Sequence, residues 1–183
     1  MTLRITSLAI CLFLLQLVTN AQHVPAADEV LKNAFTQAAK ENKNGFIIFH
    51  ASWCGWCHRM DSSMNDKSCK AYFDKSYVIR HLTVLESADK KQLENPGAMQ
   101  LLEKYKGANQ GIPFWLVFDK NGTLLADSQI RPEGAGLETK GANCGCPAQP
   151  EEVAYFISVL KKTSSITASE ILAIEKRFRE NAQ

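Results

Sequence analysis

Phe46-Ile47-Ile48-Phe49-His50-Ala51-Ser52-Trp53-Cys54-Gly55-Trp56-Cys57-His58 joins an unbroken apolar run to two cysteines separated by two residues. Four consecutive β-branched and aromatic residues fit a strand covered on both faces. The residues after Cys57, through Met60 and Met64, fit a helix. Cys54 therefore stands where a strand gives way to a helix N-terminus. Unpaired backbone N–H groups and the positive end of the helix dipole favour thiolate there, and thiolate is the nucleophile in disulfide exchange. The two-residue spacer brings Cys57 within reach of a mixed disulfide formed on Cys54. The pattern assigns attack to Cys54 and resolution to Cys57, with Trp53 and Trp56 flanking an apolar surface suited to an extended peptide.

Apolar spacing at Val30, Leu31, Ala34, Phe35 and Ala38 predicts a helix over Asp28 to Glu41, stopped by Asn42-Lys43-Asn44-Gly45. Tyr77 to Leu85 reads as a strand and Pro96 to Tyr105 as a helix that breaks at Gly107. Phe114-Trp115-Leu116-Val117-Phe118 is a second wholly apolar strand. Asn121-Gly122 after it predicts a hairpin with positive φ at both central residues, leading into Thr123-Leu124-Leu125. The order is α-β-α-β-α-β-β. Ser128 to Gln149, rich in Gly and Pro, reads as a long loop. Pro150 then opens a helix through Val153, Phe156, Ile157 and Leu160, and Thr167-Ala168-Ser169-Glu170 matches a capping box for a last helix with Ile171, Ile174 and Phe178.

The 183 residues suit one domain with modest additions. A formal charge of +2 gives no basis for nucleic-acid binding. Arg4, the apolar stretch Leu8 to Val18 and the small residues before Gln22 form a secretory signal peptide, cut after Ala21. Its apolar core is shorter than the roughly 20 residues of a spanning helix, so no stable membrane insertion is expected after cleavage. Cys11 leaves with it. The expected layout is 1–21 signal peptide, 22–163 catalytic domain and 164–183 helical extension, in the periplasm or secreted.

Trp53-Cys54-Gly55-Trp56-Cys57 after an apolar strand, with Gly111-Ile112-Pro113 opening a later one, resembles the thioredoxin family. The likeness is greatest to bacterial exported thioredoxin-like thiol:disulfide oxidoreductases and to the C-terminal domain of the transmembrane disulfide reductase. It implies an α/β thioredoxin-like fold: a central mixed sheet with helices on both faces, here with an extra C-terminal helix. It implies a cis Pro113 against the cysteine pair, leaving the Ile112 backbone to pair with substrate. Ile before that proline leans toward a reductase. Expected partners are cysteine-containing protein substrates and a membrane-embedded electron donor, with no cofactor beyond the redox-active disulfide and no metal. The chain departs from the family in three ways. Ile48 replaces the buried acid six positions before the first Cys, leaving His58, His50 or water to take the resolving proton. Trp56 replaces the usual proline, and the Ser128–Gln149 loop is longer.

Two other readings use the same residues. Cys54-Gly55-Trp56-Cys57-His58 matches the c-type haem attachment pattern, with His58 as one axial ligand and Met60 or Met64 as the other. Cys144-Gly145-Cys146 could join Cys54 and Cys57 around a zinc ion in a binding module. Alternatively, Cys144 and Cys146 form a secondary redox pair. Cys69 is expected to pack as a small apolar residue on a helix. His23 and His81 have no evident partner in the sequence.

Overall fold

The computed structural model describes residues 23–183, so the expected signal peptide lies outside the described residues. The chain runs α1 (Ala27–Glu41), β1 (Asn44–His50), α2 (Gly55–Met64), α3 (Lys70–Ser76), β2 (Tyr77–Thr83), α4 (Ala98–Lys104), β3 (Phe114–Phe118), β4 (Leu124–Asp127), β5 (Gln129–Ile130), β6 (Ala142–Asn143), α5 (Pro150–Thr163) and α6 (Ala168–Arg179). The first four strands form a sheet in the order β2-β1-β3-β4. β1 pairs parallel with β2 and antiparallel with β3, and β3 pairs antiparallel with β4. This is a thioredoxin-like fold: a mixed central sheet covered on both faces, with a further C-terminal helix.

The apolar runs explain the layering. Side chains alternate across a strand, so Phe46 and Ile48 enter one core with Trp115 and Val117, under α2, α3, α5 and α6. Ile47 and Phe49 enter the other core with Phe114, Leu116 and Phe118, under α1 and α4. Both central strands are buried along their apolar runs, which is why neither shows a polar face in the sequence. The final helix begins with the expected capping box, Thr167 with Glu170. It packs Ile171, Ile174 and Phe178 into the same core as α5.

Four expectations change in detail. Cys69 is buried, but it precedes α3 as its N-cap, and that short helix was not foreseen. The second strand ends at Thr83, and Leu85 takes a positive φ of 56°. The β3–β4 hairpin does not use the mirror-image turn. Gly122 takes a positive φ of 84° while Asn121 does not, because the Asp119 side chain accepts the N–H groups of Asn121 and Thr123, both at 2.8 Å. One left-handed residue then suffices, and the register slips between Val117 and Phe118.

The segment Ser128–Gln149 is also more ordered than a loop. It contains the β5–β6 ribbon, tied by a buried ion pair between Asp127 and Arg131 at 2.6 Å. Arg131 donates through both terminal nitrogens to the two Asp127 oxygens, and Asp127 also accepts the Gln129 N–H at 2.9 Å. A sequence rich in Gly and Pro thus gains order from a buried ion pair, with Arg131 also donating to the Thr139 and Leu137 carbonyls. Apolar spacing does not register such a pair.

Phe178 is fully buried and packs against Phe73 and Phe156, with ring centroids 6.3 and 4.8 Å away. Phe178→Ala should lower unfolding stability by about 3–5 kcal/mol, measured by urea denaturation. A loss below about 1 kcal/mol would mean the last helix is not part of the cooperative core.

Candidate active site

The site begins at the end of β1. The N–H of Cys54 donates to the Ala51 carbonyl at 3.1 Å, closing a turn just before α2. Cys54 is the N-cap of α2, and its Sγ accepts the Cys57 N–H at 3.1 Å. Cys54 and Cys57 are joined as a disulfide, with S–S 2.00 Å and Cα–Cα 5.2 Å. Both are nearly inaccessible, at 3% and 1% exposure. Trp53 and Trp56 beside them are exposed, at 59% and 51%, so an apolar rim surrounds a recessed sulfur pair. Trp53 is anchored by its indole N–H on the Leu85 carbonyl at 2.8 Å, and the Arg59 guanidinium lies 5.2 Å over the Trp56 ring.

The opposite wall comes from the turn into β3. The Ile112–Pro113 peptide bond is cis. The Ile112 carbonyl oxygen lies 3.5 Å from Cys54 Sγ, and the Ile112 side chain packs on Ala51, Cys54 and Cys57. The register of β1 on β3 pairs Phe49 with Phe114. It thereby puts the end of one strand beside the start of the other and the cysteines beside Pro113.

Glu86 belongs to this site and was not evident in the sequence. It is buried and accepts Ser52 N–H at 2.6 Å and Ser52 Oγ–H at 2.8 Å, clamping the turn that feeds Cys54. Burial acts to raise its pKa, but the two hydrogen bonds from Ser52 outweigh that and hold it below the usual carboxylate range. The signal available was weak: a lone Glu three residues past a strand.

Ile48 is buried, so its position supplies no acid. Of the proposed substitutes, His58 places Nε2 3.0 Å from the Ser52 carbonyl oxygen, and His50 places Nε2 3.2 Å from Thr83 Oγ1. Burial, then the neighbouring His81, lowers the His50 pKa. His81 does have a partner: its Nε2 lies 2.7 Å from Asp61 Oδ1. Sequence spacing could not reveal it, because β2 and α2 meet only in the fold.

Cys144 and Cys146 are buried and unbonded. Their loop is held on the turn before β3. Asn143 Nδ2 donates to the Pro113 carbonyl at 3.1 Å, and Trp115 Nε1–H donates to the Gly145 carbonyl at 2.9 Å. An open cavity of about 270 Å³ is lined by Trp56, Ile112, Pro113, Cys144 and Cys146 among others. Asn181, just past the last helix, reaches this loop, donating to the Pro147 carbonyl at 3.0 Å with Nδ2 3.5 Å from Cys146 Sγ. Burial raises the Cys144 pKa strongly and pushes Cys146 up to about 12. The haem and zinc readings both need Cys54 and Cys57 as reduced sulfurs; here the two are joined in a disulfide.

A family model described as thioredoxin-like matches residues 26–120. The chain belongs to the thioredoxin-like family. Among solved structures it is similar to DsbH oxidoreductase, 19% identical over 76% of this chain and 84% of the other, with a TM-score of 0.43. It is also similar to the oxidised C-terminal domain of DsbD from Neisseria meningitidis, 18% identical over 77% and 99%, TM-score 0.42. A disulphide isomerase from Xylella fastidiosa Temecula1 is 21% identical over 53% and 69%, TM-score 0.43. No curated protein matches the chain. The family assignment agrees with the cysteine pair at the start of α2 and the cis proline facing it.

Burial raises the pKa of Cys69 as well as those of Cys144 and Cys146. A thiol of pKa about 12 is thiolate in about one molecule in ten thousand at pH 8. Mature protein in which only the Cys54–Cys57 bond is closed should therefore resist iodoacetamide at pH 8 and take three labels per chain once unfolded. Rapid labelling of Cys144 or Cys146 in the native protein would contradict that burial.

Proposed function

We propose that this chain is an exported thiol:disulfide oxidoreductase that reduces disulfides in protein substrates. The observation that carries the reading is the Cys54–Cys57 disulfide at the N-terminus of α2, 3.5 Å from the carbonyl of the residue before cis-Pro113. In the reduced state the Cys57 N–H and the helix N-terminus stabilise a Cys54 thiolate. That thiolate attacks a substrate disulfide, forming a Cys54–substrate bond as the substrate S–S bond breaks and one substrate thiolate leaves. Cys57 then attacks Cys54 Sγ, forming the intramolecular disulfide and releasing the second substrate sulfur. Two electrons pass to the substrate.

Trp53, Trp56, Ile112 and Pro113 are the proposed peptide contacts. Their support is the exposed indoles and the closeness of Ile112 to the sulfur. The reductive direction rests on Ile112 before the proline, by family resemblance. Export rests on the apolar leader in the sequence, and among the described residues no helix is long and apolar enough to cross a membrane. A reductase in that location needs a supply of electrons, for which a membrane-embedded donor is proposed. Cys144 and Cys146 are proposed as a second exchangeable pair, because they line one cavity with Trp56 and Pro113. As buried, protonated thiols they are poor attackers. Their exchange therefore begins once an external disulfide, such as glutathione disulfide, has taken two electrons from them to close a Cys144–Cys146 bond. Cys54 thiolate attacks that bond, which breaks to give a Cys54 mixed disulfide and one free thiol, and Cys57 then closes on Cys54 and releases the second.

Mature protein supplied with dithiothreitol should accelerate insulin reduction. Cys54→Ser should abolish the acceleration, and Cys57→Ser should hold insulin as a covalent adduct visible on a non-reducing gel. No acceleration by the wild type would leave a binding role instead. In the same Cys57→Ser variant, oxidation with glutathione disulfide should give an intramolecular bond from Cys54 to Cys144 or Cys146. Cys144 and Cys146 that stay reduced, or a Cys54 thiol left free beside a closed Cys144–Cys146 disulfide, would rule out the second pair.

A further inference from the structure

His50, Asp61 and His81 come from three elements, the end of β1, the middle of α2 and β2. Their ligand atoms all lie within 4.8 Å of one another. The two imidazole rings are 4.8 Å apart between centroids, and the Asp61 carboxylate is hydrogen-bonded to the His81 ring. The sequence shows none of this, because the residues are separated by strand and helix and meet through the parallel register that pairs Ile48 with His81 and His50 with Thr83.

We propose that these three side chains bind a first-row divalent transition ion. Two imidazoles and one carboxylate are a ligand set such ions take, with a further position left for water. Two ligands of a tetrahedral zinc ion stand about 3.3 Å apart at usual bond lengths. The most distant pair here need close by only about 1.5 Å. His81 Nε2 and Asp61 Oδ1 are already at 2.7 Å, a hydrogen bond that gives way as the ion takes both atoms. Thr83 Oγ1, 3.2 Å from His50 Nε2, is a polar partner for that ring outside the cluster. An outer hydrogen bond of this kind fixes the tautomer and orientation of a ligating histidine. The side chains of His81 and Asp61 are about one-third exposed, 34% and 32%, which gives an ion an entry path.

The site has a defined relation to the cysteines. His50 lies four residues before Cys54, and Asp61 lies four residues, about one helical turn, beyond Cys57. A bound ion would cross-link the strand that enters the motif to the helix that leaves it. It uses no cysteine, so it is compatible with the closed disulfide and holds whether or not the chain exchanges disulfides.

The test is titration of oxidised mature protein with Zn²⁺ alone against a chromophoric chelator. One ion per chain is expected. His50→Gln, His81→Gln and Asp61→Asn should each weaken binding by more than about 100-fold, and Thr83→Val by about 10-fold. His58→Gln should leave binding unchanged, since His58 bonds to the Ser52 carbonyl, outside the cluster. A protein with Cys69, Cys144 and Cys146 all changed to serine should also keep it. Because the ligand variants also remove a native hydrogen bond, the ring ¹⁵N shifts of wild-type protein provide a second measurement. Zn²⁺ should move those of His50 and His81 and not His58. Absence of a bound ion, affinity unchanged in the histidine variants, affinity lost with the buried cysteines, or a response at His58 alone would each overturn the assignment.

Discussion

The antiparallel register of β1 on β3 fixes where every reacting atom lies. Pairing Phe49 with Phe114 brings the exit of one buried strand against the entrance of the other. The chain then has five residues to travel from Phe49 to Cys54 and one residue to step back from Phe114 to Pro113. The disulfide and the cis peptide must therefore face each other, and Cys54 Sγ sits 3.5 Å from the Ile112 carbonyl oxygen. Slipping this register by one residue would turn the side chains of one strand to the opposite core face from their present partners. Phe46, Trp115 and Phe156 would lose their common packing. The energy that holds the catalytic geometry is thus the burial of two apolar strands, at a distance from the sulfurs.

Around that frame the polar groups do local work. Glu86 fastens the turn before Cys54 through Ser52, while the indole of Trp53 is tied to the next carbonyl along the same segment. A second set of bonds, from Asn143 to the carbonyls of Gln110, Gly111 and Pro113, fastens the cysteine-containing loop to the proline turn. The chain end joins the same assembly, because Asn181 accepts from Ser63 and its carbonyl accepts from Arg59, both on α2. The turn that follows the last helix therefore braces the active-site helix, while the helix itself covers the core. That arrangement links a stability element to the position of Cys57.

Elements decided by local chemistry were legible in the sequence. The buried strands, the helices at Ala27–Glu41 and Pro150–Thr163 and the capping box at Thr167 follow from apolar spacing and cap residues, and each is present. So is the cysteine pair at the helix start. Features that depend on groups meeting across the fold were not legible. Asp127 and Arg131 organise a segment that composition marks as loop. His81 finds Asp61 only because β2 lies beside β1 and α2 covers them. The hairpin differed because the Asp119 side chain competes for backbone N–H groups that the two-residue turn would have used elsewhere. In each case a single polar side chain overrides a pattern that counts only apolar residues and turn formers.

The central claim is that Cys54 and Cys57 cycle between dithiol and disulfide as an electron-donating pair. It is tested most directly by the equilibrium reduction potential of mature protein in glutathione or dithiothreitol buffers, followed by alkylation and mass. The account predicts a reversible two-electron step near that of thioredoxin, about −270 mV. A potential near about −120 mV would make the protein an oxidant, and a pair that does not titrate reversibly would contradict exchange altogether.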